Sequence, residues 1–141
     1  MKREALAALH RACFTTPRPW SEEEFAELLK SPGVFLLEET HGFLLGRVIA
    51  GEAELLTLAV APDARRRGVG RRLVDGFAEA ARARDAVSAF LEVAADNAGG
   101  RALYAATGWT ESGCRKGYYR APDGSRIDAL VLNLPLGDQT A

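Results

Sequence analysis

Three apolar runs, VFLLEE (34–39), GFLLGRVIA (42–50) and ELLTLAVA (54–61), follow one another across very short links, Thr40–His41 and Gly51–Glu52. A parallel strand pair needs a crossover of about a dozen residues or more, so these links force hairpins and an antiparallel meander. Pro62 closes the third run, and the period then changes. Val69, Leu73, Phe77 and Ala81 recur every four residues with Val74 beside them, which predicts a long helix over 68–84. VSAFLEVAA (87–95) reads as the next strand. Asn97 is a good helix cap and Gly108 a good left-handed stop, so a further helix lies between them. GCRKGYYR and RIDALVLNL, joined by the turn residues APDG, read as a last hairpin.

Two helices precede the meander. Leu6, Leu9 and Cys13 mark one over 3–13, broken by TTPRP. Ser21 with Glu24 forms a capping box, Trp20 and Phe25 stand at the staple positions around it, and the second helix runs over 22–30, before Pro32. The order ααβββαβαββ predicts a single α/β domain over residues 1–141 with helices packed on a mixed sheet.

Composition excludes several functions. A net charge of −1, with 48% hydrophobic and 26% charged residues, is an ordinary globular balance and not that of a general nucleic-acid binder. Cys13 and Cys114 form no disulfide framework and read as free thiols of a reducing compartment. His10 and His41 stand far apart without partners, so no metal site is expected. The opening MKREALAALHRACF is charged in its first turn, unlike a signal peptide, and no window approaches the ~20 apolar residues of a membrane span. The expectation is a cytoplasmic protein without membrane or direct nucleic-acid partners.

The stretch DARRRGVGRRLV (63–74) nonetheless gathers five arginines around two glycines. It leaves a strand and opens a helix. A helix start carries free N–H groups and partial positive charge, glycines let an anion approach them, and arginines add forked donors. Together these describe a phosphate site. It is not a Walker loop, because no Lys-Ser or Lys-Thr follows the glycines, and not a dinucleotide fingerprint, because Leu73 stands where a third glycine is needed. A solvated arginine-rich helix start is the plainer alternative.

The segment Arg65-x-x-Gly68-x-Gly70 resembles the pyrophosphate loop of the GNAT superfamily of acyl-CoA-dependent N-acetyltransferases, and LEVAADNAGGRALYAATGW (91–109) resembles the strand and helix that follow it there. With PWSEEEF near the start and GYYRAPDGSRIDALVLNLPL at the end, the likeness spans nearly the whole chain and is strongest to the RimI-type group, which acetylates the N-terminal alanine of a small-subunit ribosomal protein. The resemblance implies a mixed, mostly antiparallel sheet flanked by helices, here lacking the strand that usually precedes the first helix. It implies acetyl-CoA as co-substrate and the N-terminal segment of a ribosomal protein as partner. By the same resemblance, the backbone of Leu58, Ala59 and Val60 pairs with the pantetheine arm. Arg65 opens the pyrophosphate loop, which Arg66, Arg67, Gly68, Val69, Gly70 and Arg71 form. Asn97 contacts the cofactor arm, Glu92 is the general base, Tyr104 the general acid, and Tyr118 and Tyr119 the aromatic pair near the acceptor; Trp20 is a further candidate on that side. Gly99-Gly100 in place of the usual alanines weakens its helix start by up to ~1 kcal/mol per glycine, and Trp109 stands where Phe or Tyr is usual.

The chemistry of these residue types is compatible with such roles. The attacking amine must be neutral, and an α-amine with pKa near ~7.7 is partly so already, unlike a lysine near ~10.4. Glu92, between Leu91 and Val93, would be partly desolvated and a better proton acceptor, or else would point to solvent from a half-exposed face. The Tyr104 hydroxyl would protonate a leaving thiolate, or its ring would simply pack on the sheet. A backbone N–H near Val60 would steady the oxyanion. Adjacent strand residues face opposite ways, so only one of Tyr118 and Tyr119 is expected to line the pocket. The leading reading is N-terminal alanine acetylation; acetylation of a lysine or small-molecule amine, and a non-catalytic acyl-CoA sensor, are the alternatives.

Overall fold

A computed structural model describes residues 1–15 and 17–137. Helices α1 (Arg3–Cys13) and α2 (Glu22–Lys30) lead into strands β1 (Val34–Glu39), β2 (Gly42–Ile49) and β3 (Glu52–Val60). A single 3₁₀ turn, Pro62–Ala64, precedes α3 (Val69–Ala83), and β4 (Ser88–Ala94), α4 (Ala98–Ala106), β5 (Thr110–Arg120) and β6 (Arg126–Pro135) complete the chain. The sheet order is β1-β2-β3-β4-β6-β5, and every neighbouring pair is antiparallel except β3–β4. This is the mixed, mostly antiparallel sheet expected, and α1 is the first element among the described residues.

Local chemistry accounts for the boundaries. Ser21 accepts the Glu24 N–H and Glu24 accepts the Ser21 N–H, so the capping box forms, and the Trp20 and Phe25 rings lie 5.4 Å apart as its staple. The β2–β3 turn is Ala50–Gly51 rather than Gly51–Glu52: both turn residues take positive φ, 52° and 82°, as a two-residue hairpin requires, while Glu52 already pairs with Ile49.

Two cores lie on opposite faces of the sheet. Leu73, Val74, Phe77 and Ala81 of α3 pack on Phe35, Leu44 and Leu55; Leu6, Ala7 and Phe25 of α1 and α2 pack on Phe43 and Ala59. Strand β3 is bulged, and the bulge switches which of its residues face each core. Leu45 pairs with Thr57 and Gly46 with Leu55, which leaves Leu56 as an extra residue. Before the bulge, Ala53 and Leu55 face α3; after it, Leu58 and Val60 do, and Ala59 turns to α1 and α2. Gly46 sits opposite because a Cβ there would lie 2.6 Å from the Phe35 ring and 3.0 Å from that of Phe77.

Strands β3 and β4 pair only through Glu52–Glu54 against Ser88–Phe90. Beyond that point they separate, and β4 continues against β6 alone. The wedge between them opens onto a large cleft.

Candidate active site

This cleft holds about 1040 Å³ and is lined by residues of α1, β3, the start of α3, β4, α4 and β5. At the α3 end, Arg66 and Gly68 both take left-handed φ, 66° and 78°. That alternation turns successive backbone N–H groups inward into an anion-binding concavity. The first N–H bonded inside the helix is that of Arg72, to the Gly68 carbonyl at 3.0 Å, so those of Val69, Gly70 and Arg71 are left without helical partners. A Cβ on Gly70 would stand 3.1 Å from Leu103 and 3.7 Å from Val60, so glycine there keeps the floor of this cradle open. Arg65, Arg66, Gly68, Val69, Gly70 and Arg71 all line the cleft, but Arg67 does not. Arg72 points away, its guanidinium forked onto Glu39 of β1 at 2.8–3.1 Å. That contact holds Glu39 below the usual carboxylate range.

Leu58 and Val60 line the β3 wall; the side chain of Ala59 lies in the opposite core. The Val60 carbonyl accepts from the Cys13 thiol at 3.2 Å and from Arg65 Nε at 3.3 Å. Both cysteines are free thiols. Asn97 caps α4, its Oδ1 accepting the Gly100 N–H at 2.9 Å, and borders the same cleft.

Glu92 and Tyr104 reach the cleft from adjacent elements, β4 and α4. The Tyr104 ring packs within the core on the α3 face, and the residue borders the cleft as well. Glu92 is half-buried, with 23% of its side chain exposed, and its carboxylate lies 3.3 Å from the Arg115 guanidinium. Tyr104 is 7% exposed, its ring set edge-on to Trp109 at 6.0 Å. Burial pushes its phenol well above the ordinary 10, so the hydroxyl keeps its proton.

Tyr118 and Tyr119 both line the cleft, contrary to strict strand alternation. The register of β5 against β6 slips between Arg115 and Tyr119, and Gly117 inside the slip has φ 59°. This irregularity removes the alternation, and the rings meet edge-to-face at 5.3 Å. Burial, with the nearby Glu92 charge, pushes Tyr119 up to about 12. Trp20 both staples α2 and lines the cleft.

His10 has partners after all. It is 1% exposed, donates to or accepts from Thr57 Oγ1 at 3.0 Å through Nε2, and accepts the Trp20 N–H at 3.0 Å through Nδ1. Its place was signalled by Leu6, His10 and Cys13, spaced four and three along the apolar side of α1. No group of three or more potential metal ligands occurs among the described residues, and none of their helices is long and apolar enough to cross a membrane.

Residues 3–109 match the family model "Acetyltransferase (GNAT) family". The chain is 35% identical over 122 residues to the [Ribosomal protein bS18]-alanine N-acetyltransferase of Escherichia coli (strain K12), covering 84% of this chain and 82% of that protein. It is 33% identical over 141 residues to the N-alpha-acetyltransferase RimI of Mycobacterium tuberculosis, covering 94% and 85%. The crystal structure of the ribosomal-protein-S18-alanine N-acetyltransferase from Escherichia coli superposes with a TM-score of 0.84 at 31% identity, over 96% of this chain and 88% of that one. With a family model spanning most of its length and relatives of this type along it, the chain belongs to the GNAT family of acetyltransferases.

Proposed function

We propose that this acetyltransferase moves the acetyl group of acetyl-CoA onto the N-terminal α-amine of an alanine that begins a small-subunit ribosomal protein. The observation that carries the reading is that Glu92, Tyr104 and the free N–H groups of the α3 start line one cleft. The relatives named as alanine N-acetyltransferases of a ribosomal protein support the choice of acceptor.

The residues fit acetyl-CoA. The α3 start offers its unpaired N–H groups to a pyrophosphate, Gly70 keeps them accessible, and Arg65, Arg66 and Arg71 add charge beside them. When bound, the co-substrate supplies an activated acetyl thioester. Glu92 then takes a proton from the acceptor amine, directly or through one water, and the nearby Arg115 holds its carboxylate in place. An α-amine asks little of this base, since it is already partly neutral near pH 7. Tyr104 holds its proton on the phenol and passes it to the departing sulfur. A backbone N–H near Val60 steadies the charge on the acetyl oxygen. Tyr118, Tyr119 and Trp20 form apolar surface for the acceptor chain.

Thiol release from acetyl-CoA tests this. An alanine-starting peptide copying the ribosomal N-terminus should be turned over, and the same peptide with a blocked N-terminus should not. Equal turnover of a blocked peptide containing lysine would refute the α-amine assignment. Tight acetyl-CoA binding with no turnover of any amine would mark the protein as a sensor. Glu92→Gln should slow turnover most at low pH, where free amine is scarce; the same fractional rate at every pH would remove Glu92 from proton transfer.

A further inference from the structure

Two aromatic rings of the cleft wall, Phe14 and Trp20, are held by a side chain that the proposed chemistry does not use. The His10 imidazole lies between them, its centroid 4.4 Å from Phe14 and 5.0 Å from Trp20, with interplanar angles of 29° and 21°. Phe25 meets its edge at 5.5 Å. Both ring nitrogens are engaged. Because the Trp20 N–H donates to Nδ1 at 3.0 Å, that nitrogen carries no proton. The proton therefore sits on Nε2, which donates to Thr57 Oγ1 at 3.0 Å.

From this geometry we infer that His10 is a positioning residue, a brace that ties Trp20 and Phe14 to strand β3 and so sets the shape of the acceptor wall. Three features bear on it. The brace spans three elements: His10 belongs to α1, Trp20 precedes the α2 cap, and Thr57 lies on β3. Thr57 comes just after the bulge at Leu56, and beyond the bulge the odd-numbered residues of β3 turn to the α1 and α2 face. Finally, only a flat ring with an acceptor and a donor can stack on two aromatic rings and bond in its own plane to two others. Phenylalanine keeps the stack without the bonds, and asparagine keeps a polar contact without the stack. The α3 start, which would hold the pyrophosphate, makes no hydrogen bond to this group.

The inference rests on the acceptor being bound on this side of the cleft, as proposed above. Its consequence is a split between the two substrates. In His10→Phe the KM for the acceptor peptide should rise about tenfold, the equivalent of one lost positioning bond, while the KM for acetyl-CoA stays unchanged. Thr57→Val should shift the acceptor KM in the same direction, and Thr57→Ser should restore it. Long-range ¹H–¹⁵N correlation spectra of the full chain should show His10 as the Nε2–H tautomer. An Nδ1–H tautomer, or equal changes in both KM values, would overturn the brace. If His10→Phe does not fold, the Thr57 pair and the tautomer decide by the same criteria. Should the wild-type enzyme ignore the alanine-starting peptide, the assigned acceptor fails, while the brace is still judged by the tautomer and by whichever amine is acetylated.

Discussion

Acidification should unfold this protein through His10. Burial drops its imidazole from the ordinary 6.5 to about 4, opposed only in part by the Glu24 carboxylate on α2. The cause is visible: the ring is 1% exposed, walled by Phe14, Trp20 and Phe25, and its Nδ1 already accepts the Trp20 N–H. A proton on Nδ1 would turn an acceptor toward a donor and place a charge among aromatic faces. The folded state therefore binds fewer protons than the unfolded state between pH 6.5 and about 4. Stability is complete above the unfolded value, falls as pH drops through this window, and levels off below it. The fall from 6.5 to about 4 corresponds, at about 1.36 kcal/mol per pKa unit, to about 3 kcal/mol. That is a large share of the roughly 5–15 kcal/mol that holds a domain folded. Glu24, held at about 2 mainly by its hydrogen bonds with Arg18, does not titrate in the same window. Urea unfolding of the wild-type chain and of His10→Phe at several pH values between 7.5 and 4.5 isolates the effect, since exposed carboxylates contribute alike to both. The difference in unfolding free energy should shrink by about 3 kcal/mol toward the acid end. Parallel curves would show that the imidazole is not buried neutral and would refute the reasoning.

Other perturbations follow from the site and the turns. Tyr104→Phe should lower kcat by about 10²- to 10⁴-fold with the KM for the acceptor little changed; because burial raises the phenol above 10, turnover in the wild type should show no descending limb below pH 10. Gly70→Ala places a Cβ 3.1 Å from Leu103 on the floor of the anion cradle, so the KM for acetyl-CoA should rise while the KM for the acceptor does not. Gly33→Ala, at φ 79° and with its Cβ 2.3 Å from the Val48 carbonyl, should cost more in thermal unfolding than Gly51→Ala, which has a similar φ of 82° but open space around it. The second change should cost about 1–2 kcal/mol, the left-handed penalty alone.

Elements whose causes lie within a few neighbouring residues were legible in the order of amino acids. The α1 and α2 spans, the Ser21–Glu24 box, the Asn97 cap, the left-handed Gly108 and the strand–glycine–helix passage before Val69 all follow from local spacing, capping chemistry or steric freedom. So did the gathering of Glu92, Tyr104, Asn97 and, Arg67 apart, the Arg65–Arg71 loop around a cleft, once the family likeness was seen. What escaped that reading depends on what packs across the sheet. Strict alternation along β3 puts Ala53, Leu55, Thr57 and Ala59 on one face, yet the bulge at Leu56 divides them, Ala53 and Leu55 facing α3 and Thr57 and Ala59 facing α1 and α2. A similar slip around Gly117 brings Tyr118 and Tyr119 into one cleft. His10 looked solitary because its partner Thr57 lies 47 positions along the chain. Alternation and helical period are properties of the nearest bonds, whereas a bulge, or a buried imidazole with both nitrogens bound, exists only when distant surfaces close upon each other.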